Sequence, residues 1–278
     1  MKEVIKFIKY LFTYLYIRIA LFCYYSGNNL IPIHSILLLF AVGVVAGFIN
    51  INAGGGSILT LPVLIFLGLN SAVANGTNRV GVFLQTATGV YSFKKEDYHQ
   101  FELSMKMSLL TLPGAIAGAL LSVRIGDETF QKILGVIMIG IIISMIVPKS
   151  KKTNNVVENS KITWKVVIAM ALIGFYGGFI QVGVGFLLMA ALNYLMKLNL
   201  VHVNMHKVFI VAVYTIPALL IFILQGDVNW SYGLSLAAGT SLGAFWAAKF
   251  SVRGGEKWIK VVLISAVILM SLKLWNIL

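Results

Sequence analysis

The chain is a succession of long apolar runs separated by short polar ones. After a basic start (Lys2, Lys6, Lys9), the first run extends from Tyr10 to Tyr25, interrupted by Arg18. Further apolar segments cover 31–51, 57–69, 71–93, 105–123, 130–148, 162–182, 184–198, 200–224, 231–250 and 257–277. Most exceed the ~18 residues that indicate a membrane-crossing helix. The ~10-residue alternation of barrel strands is absent. The pattern therefore predicts an all-α, polytopic membrane protein. The segments 57–69 and 184–198 are short for a crossing, and each follows a glycine-rich interruption, which predicts re-entrant or broken helices there. The first run resembles a signal peptide, but Arg18 breaks its core and no A-x-A site follows it. It is read as an uncleaved extra helix over 1–30, which either spans the membrane or lies on its surface.

The segments repeat. Shifting the sequence by 129 positions places Gly54 on Gly183, Gly56 on Gly185, Asn52 on Gln181, Asn70 on Asn199 and Asn75 on Asn204. In the same register Thr111 meets Thr240, Gly114 meets Gly243, and Ser122-Val123-Arg124 meets Ser251-Val252-Arg253. One ungapped register indicates an internal duplication, the usual build of secondary transporters. The most polar insertion, KSKKTNNVVENSK at 149–161, divides the halves. The expected organisation is an N-terminal helix (1–30), a first repeat (31–148), a connecting loop (149–161) and a second repeat (162–278).

Composition sharpens this. Of the 278 residues 59% are hydrophobic and 11% charged, with a mean hydropathy of +0.91 and a net charge of +13. A soluble domain carries about 25% charged residues, so the basic balance does not signal a nucleic-acid partner. The partners expected are a lipid bilayer and a small solute. Lysine and arginine are unequal between matched loops. The 94–106 loop holds Lys94, Lys95 and Lys106, whereas its counterpart at 225–230 holds none; the 249–260 segment is richer than 124–132. Placing 94–106, 149–165, 197–207 and 249–260 in the cytoplasm satisfies the positive-inside rule. Equivalent loops then face opposite sides, and the two repeats are inverted. This fails only if the first two segments of a half form one broken helix crossing once. With the extra N-terminal helix crossing, the N-terminus falls inside and the C-terminus outside. The single cysteine, Cys23, permits no internal disulfide and no thiolate metal centre.

The acids fall at the N-terminus or in segments read as loops, whereas Arg79 and Lys207 fall inside apolar spans. Intramembrane charges are expensive and mark function by default. Buried cations without buried acids suit an anion or a neutral solute. The breaks are Asn50-Ile51-Asn52-Ala53-Gly54-Gly55-Gly56 and Gly177-Gly178-Phe179-Ile180-Gln181-Val182-Gly183-Val184-Gly185. A short helix starting at Ser57 or Phe186 would aim free N–H groups and its positive end at the break, an anion-binding arrangement. Tight helix packing through small residues is the other reading. The polar clusters that follow are Asn75-Gly76-Thr77-Asn78-Arg79 and Asn204-Met205-His206-Lys207. Their amide, hydroxyl and cationic groups can donate to an oxyanion, arginine bidentately. Snorkelling to the interface is the alternative for Arg79 and Lys207. His202 and His206 share a helix face, but no third ligand accompanies them, so no metal is expected. The five tryptophans read as interfacial anchors, and Pro62, Pro113 and Pro217 as kinks. No Walker loop and no nucleophile–base pair is present, so neither an enzyme nor a cofactor is indicated.

From Gly47-Phe48-Ile49-Asn50-Ile51-Asn52-Ala53-Gly54-Gly55-Gly56 through Pro62 to Asn75-Gly76-Thr77-Asn78, the chain resembles the first repeat of the TauE/SafE sulfite-exporter family. Gly177 to Gly185 and Asn204 to Lys207 resemble its second repeat, and the resemblance covers nearly everything after residue 31. It implies a bacterial-type inner-membrane permease for sulfite, sulfonates or related sulfur anions, working by alternating access. The binding residues expected are Asn52, Gly54, Gly55, Gly56, Asn75, Thr77, Asn78, Arg79, Gln181, Gly183, Gly185, Asn204, His206 and Lys207. An anion channel and a membrane-embedded assembly factor are the alternatives. Glycine-rich helix faces would allow a homodimer.

Overall fold

The computed structural model describes residues 33–97, 99–146 and 162–251. The predicted N-terminal helix, the 149–161 loop and the last apolar segment lie outside the described residues. Among those described, nine helices and no strands form: α1 (Ile33–Ala53), α2 (Ser57–Phe66), α3 (Ser71–Lys95), α4 (Phe101–Ser122), α5 (Asp127–Ile146), α6 (Trp164–Phe179), α7 (Val184–Met196), α8 (Leu200–Gln225) and α9 (Trp230–Ser251). Helix is the secondary structure that satisfies its own backbone in an apolar medium. Helices α1, α4 and α8 are long and apolar enough to cross a membrane.

Helix starts recur at the spacing of the sequence register. Helix α3 starts at 71 and α8 at 200; α4 starts at 101 and α9 at 230, each pair 129 apart. The start signals repeat too. Asn70 Oδ1 accepts from the Val73 N–H at 2.9 Å, and Asn199 Oδ1 accepts from the His202 N–H at 2.9 Å. An asparagine at this position satisfies one of the four donors that a helix start leaves open.

Packing is exchanged between the halves. Helix α1 of the first half lies against α9 of the second, and α6 of the second lies against α4 of the first. Both seams are made by glycine. A Cβ on Gly47 would stand 2.1 Å from Thr240 O, and one on Gly178 would stand 2.0 Å from Ala115 O. Without side chains the backbones approach directly, as membrane helices do where no hydrophobic force separates protein from lipid.

Contacts also give the directions. Ile36 pairs with Ser235, Phe40 with Gly239 and Val44 with Gly243, so α1 and α9 are parallel. Thr77 pairs with Asn229 and Gly81 with Thr240, so α3 joins them. Helices α4 and α6 are parallel to one another, Gly114 meeting Ala171 and Gly118 meeting Phe175. Helix α3 and its equivalent α8 are antiparallel: Gly76 lies beside Phe222 and Gly89 beside Val208. Helix α2 runs back along α3, with Ser57 and Thr60 beside Asn78. At 10 residues and ~1.5 Å per residue, α2 is too short to cross a ~30 Å core. The α1–α2 pair therefore returns to the end from which it set out.

These directions sort the charges. Lys94, Lys95, Lys106, Lys165 and Lys197 gather at one end of the bundle, together with Glu96, Asp97 and Glu102. The other end has Arg124 and Lys132 beside Asp127, Glu128 and Asp227.

Candidate functional site

The helix breaks are narrower than the sequence pattern suggests. Helix α1 continues through Asn50–Ala53 and stops at Gly54 (φ +82), and α6 continues to Phe179. Gln181 (φ +62) and Gly183 (φ +72) then turn the second chain. The two breaks touch. A Cβ on Gly54 would lie 2.5 Å from Gly185 C, and one on Gly185 would lie 2.3 Å from Gly54 Cα. Positive φ and close approach both require glycine at position 54.

Beside this contact is a small cavity of about 10 Å3, roughly the room of one water. Its polar lining comes from Asn50, Ser57, Gln85, Thr86, Gln181 and Lys207, and its apolar wall from Val82, Val184, Val208 and Val211, with Gly185 at the break. Ser57 is the first residue of α2, and Val184 and Gly185 are the first two of α7. Two helix N-termini thus border the same space. First-turn N–H groups lack partners within their own helix and carry partial positive charge.

Lys207, 2% exposed, is the full charge in the lining. Its ammonium donates to Asn50 O at 3.1 Å, Ile51 O at 2.9 Å and Asn204 Oδ1 at 2.8 Å. Three acceptors occupy its three hydrogens. Two of them are carbonyls of the last turn of α1, the negative end of that helix. Arg79 does the same in the opposite sense. Its guanidinium donates to Gly177 O at 3.2 Å and Gly178 O at 2.5 Å, in the last turn of α6, and lies 4.8 Å over the Phe222 ring. A cation of each repeat therefore holds the broken helix of the other. Arg79 is not in the cavity lining.

Other expected residues divide similarly. Gln181, Gly185 and Lys207 line the cavity. Gly54, Gly55, Gly56 and Gly183 build the breaks, and Asn204 holds Lys207. Asn75 Nδ2 donates to Ser122 Oγ (2.9 Å) and Phe179 O (2.8 Å), supporting the end of α6. Asn78 donates to Ser57 Oγ (3.2 Å) and accepts from Thr60 (2.5 Å), fixing α2 on α3. Thr77 Oγ1 accepts the Asn229 N–H at 2.8 Å, tying α3 to the start of α9. Asn52 Nδ2 reaches back to Phe48 O at 3.1 Å, within its own helix. His206 Nδ1 lies 2.7 Å from Ser104 Oγ on α4. Tyr176 OH donates to Val182 O across the second break. No cluster of three metal-binding side chains occurs among the described residues.

Gln85 and Thr86 were not singled out by sequence. Their signal was available: Gln85 is an amide directly after the apolar stretch Val80–Leu84, seven residues from Asn78 and so on the same helix face.

Comparison with known proteins gives a consistent result. The family model described as sulfite exporter TauE/SafE matches residues 39–274. The probable membrane transporter protein YfcA of Escherichia coli (strain K12) is 31% identical over 257 residues, covering 89% of this chain and 93% of that protein. A probable membrane transporter protein of Haemophilus influenzae is 27% identical, covering 88% and 96%. The probable membrane transporter protein ORF9 of a Sinorhizobium species is 26% identical, covering 87% and 92%. No solved structure matches.

Proposed function

The chain belongs to the sulfite exporter TauE/SafE family and is a membrane transporter, and from that premise we propose that it is an inner-membrane carrier of a small sulfur-containing oxyanion. The anion binds in the cavity beside the touching helix breaks and is exposed to the two sides in turn. The observation that carries this reading is the cavity itself. A buried lysine and two helix N-termini border it, and no carboxylate is among its lining residues. Such a site favours an anion and disfavours a cation.

Backbone N–H groups at Ser57 and Gly185, the Gln181 amide and the charge of Lys207 serve the anion directly. The glycines at 54, 55, 56 and 183 let the backbone come close. Asn75, Thr77, Asn78, Arg79, Asn204 and His206 hold the helices that present these groups. Asn52 completes the first broken helix. The repeats are inverted in the membrane, with the lysine-rich end cytoplasmic. The antiparallel run of α3 against α8 and the return of the α1–α2 pair support the inversion, and the excess of lysine at one end supports the side. An anion leaving a negative interior moves downhill, so export needs no other energy source.

The test is flux in proteoliposomes loaded with labelled sulfite, methanesulfonate or thiosulfate. Wild-type flux should saturate, and Lys207→Ala should lose it by at least tenfold while the purified variant stays folded. Non-saturating flux would identify a channel. No flux of any of these anions would sink the proposal. Orientation has its own test, in a background with Cys23 replaced by Ser. Asp97→Cys and Asp227→Cys lie in equivalent loops, and an impermeant maleimide should label them from opposite sides.

A further inference from the structure

The cavity contains one side chain that the rest of the fold does not use. Gln85 lies in the middle of α3, is 1% exposed, and faces the space between the breaks. Its Nε2 is buried without a hydrogen-bond partner. Across the same space Gln181 Oε1 is also unpartnered, and its Nε2 is 3.5 Å from Thr215 Oγ1, at the limit of a useful bond. Buried amides are ordinarily satisfied, and an exception calls for an explanation such as an absent ligand. Nearby Asn78 and Asn204 find protein partners, and Asn75 Oδ1, which is also unpartnered, lies outside the cavity lining.

Lys207 supplies something different. Its hydrogens are committed to Asn50, Ile51 and Asn204, so it contributes charge to the cavity and no spare donor. Directional donors come from the carboxamides and the helix starts. One full positive charge therefore faces the ligand, and four valines complete the lining.

We propose that Gln85 is the residue that reads the substrate, and that the site selects a monovalent oxyanion, a small sulfonate or hydrogensulfite, over a divalent one. The proposal rests on the anion-carrier reading above. The cost of stripping water from an ion rises as the square of its charge, whereas its attraction to a single ammonium rises only in proportion. A divalent anion would leave half its charge unbalanced in a dry cavity. A sulfonate offers oxygens to the amide and helix starts and an uncharged side to Val82, Val208 and Val211.

The experiment uses the purified full-length chain, with thermal melting and binding followed for methanesulfonate and sulfate. Wild type should be stabilised by methanesulfonate and bind it at least tenfold more tightly than sulfate. Gln85→Leu should melt at or above the wild-type temperature without ligand, because an unpaired amide has gone, yet bind methanesulfonate at least tenfold more weakly. Gln85→Met, closer in length, repeats the test if leucine does not pack. A purely structural glutamine gives the reverse, a lower melting temperature with affinity unchanged, and would overturn the assignment. Equal affinity for sulfate and methanesulfonate would overturn the charge selection. If wild type responds to neither anion nor to hydrogensulfite, the anion-carrier reading falls with it. If wild type responds and Gln85→Leu responds equally, only the role of Gln85 falls.

Discussion

Replacing Arg79 separates a cap from a ligand. Its guanidinium is fully buried and gives two charge-assisted hydrogen bonds to Gly177 O and Gly178 O, across from α3 to the end of α6. In Arg79→Met the charge is removed, so no unpaired ion is left behind. Two buried carbonyls then lose their donors, at about 1–3 kcal/mol each. Loss of the contact with the Phe222 ring adds about 0.5–2 kcal/mol. Against this stands the desolvation of the guanidinium, which folding no longer has to overcome. A net loss of about 3 kcal/mol is expected, roughly two powers of ten in the folded-to-unfolded ratio and a large share of a typical ~5–15 kcal/mol. Arg79→Lys keeps the charge but not the fork, and should lose about half as much. Thermal or denaturant unfolding in detergent measures this, alongside methanesulfonate affinity. Affinity should stay within a few-fold of wild type in whatever fraction remains folded. A variant as stable as wild type but binding tenfold more weakly would refute the argument and make Arg79 a substrate contact.

Other expectations follow from the same geometry. Gly178→Ala pushes a methyl to 2.0 Å from the Ala115 carbonyl on the opposing backbone, so it should cost at least the ~1–3 kcal/mol of ordinary overpacking; Gly135→Ala, with nothing within 4 Å, should be neutral or slightly stabilising by melting temperature. Asn199→Ala removes the acceptor for the His202 N–H and should cost about 1 kcal/mol, as should Asn70→Ala. Partial burial raises the pKa of Asp227, in the turn between α8 and α9, above its ordinary value. The folded state then binds its proton more readily than the unfolded state, so the ionised carboxylate opposes folding at neutral pH. Asp227→Asn should raise the melting temperature at neutral pH, and the gain should vanish as pH falls through the raised pKa. An unchanged gain in acid would refute the burial argument.

The boundaries of the site were legible where local chemistry sets them. The asparagines at 70 and 199 announce helix starts because a short side-chain acceptor is what an open N–H requires, and both helices begin where expected. The breaks were drawn too wide. Asn50 to Ala53 contain nothing that helical geometry excludes, and Asn52 simply bonds back to Phe48; only Gly54, forced to positive φ against Gly185, had to end the helix. Arg79 and Lys207 stood out as buried cations, but their partners lie 98–99 and 156–157 residues away, and no spacing encodes such pairings. Gln85 was overlooked for the converse reason. One amide in an apolar helix is unremarkable until the structure shows that nothing answers it.

The absence of buried acids among the described residues then has a physical account. An ammonium or guanidinium in an apolar interior needs negative charge close by, and a carboxylate is the usual source. Here the source is backbone. The last turn of a helix presents carbonyls without partners and about half a negative charge. Breaking α1 and α6 in mid-protein creates two such ends, and Lys207 and Arg79 fill them. The same breaks create the positive starts of α2 and α7 at the cavity. Each interrupted helix therefore separates charge, with its negative end neutralised by a side chain of the other half and its positive end facing the cavity. Aspartate or glutamate as the counter-ion would have cancelled that asymmetry. Lys207→Met combined with Asn204→Asp should show the difference: it removes the cation, adds a carboxylate beside the cavity, and should abolish methanesulfonate binding more completely than Lys207→Met alone. Equal residual affinity in the single and double variants would refute an electrostatic origin for the selectivity of this site.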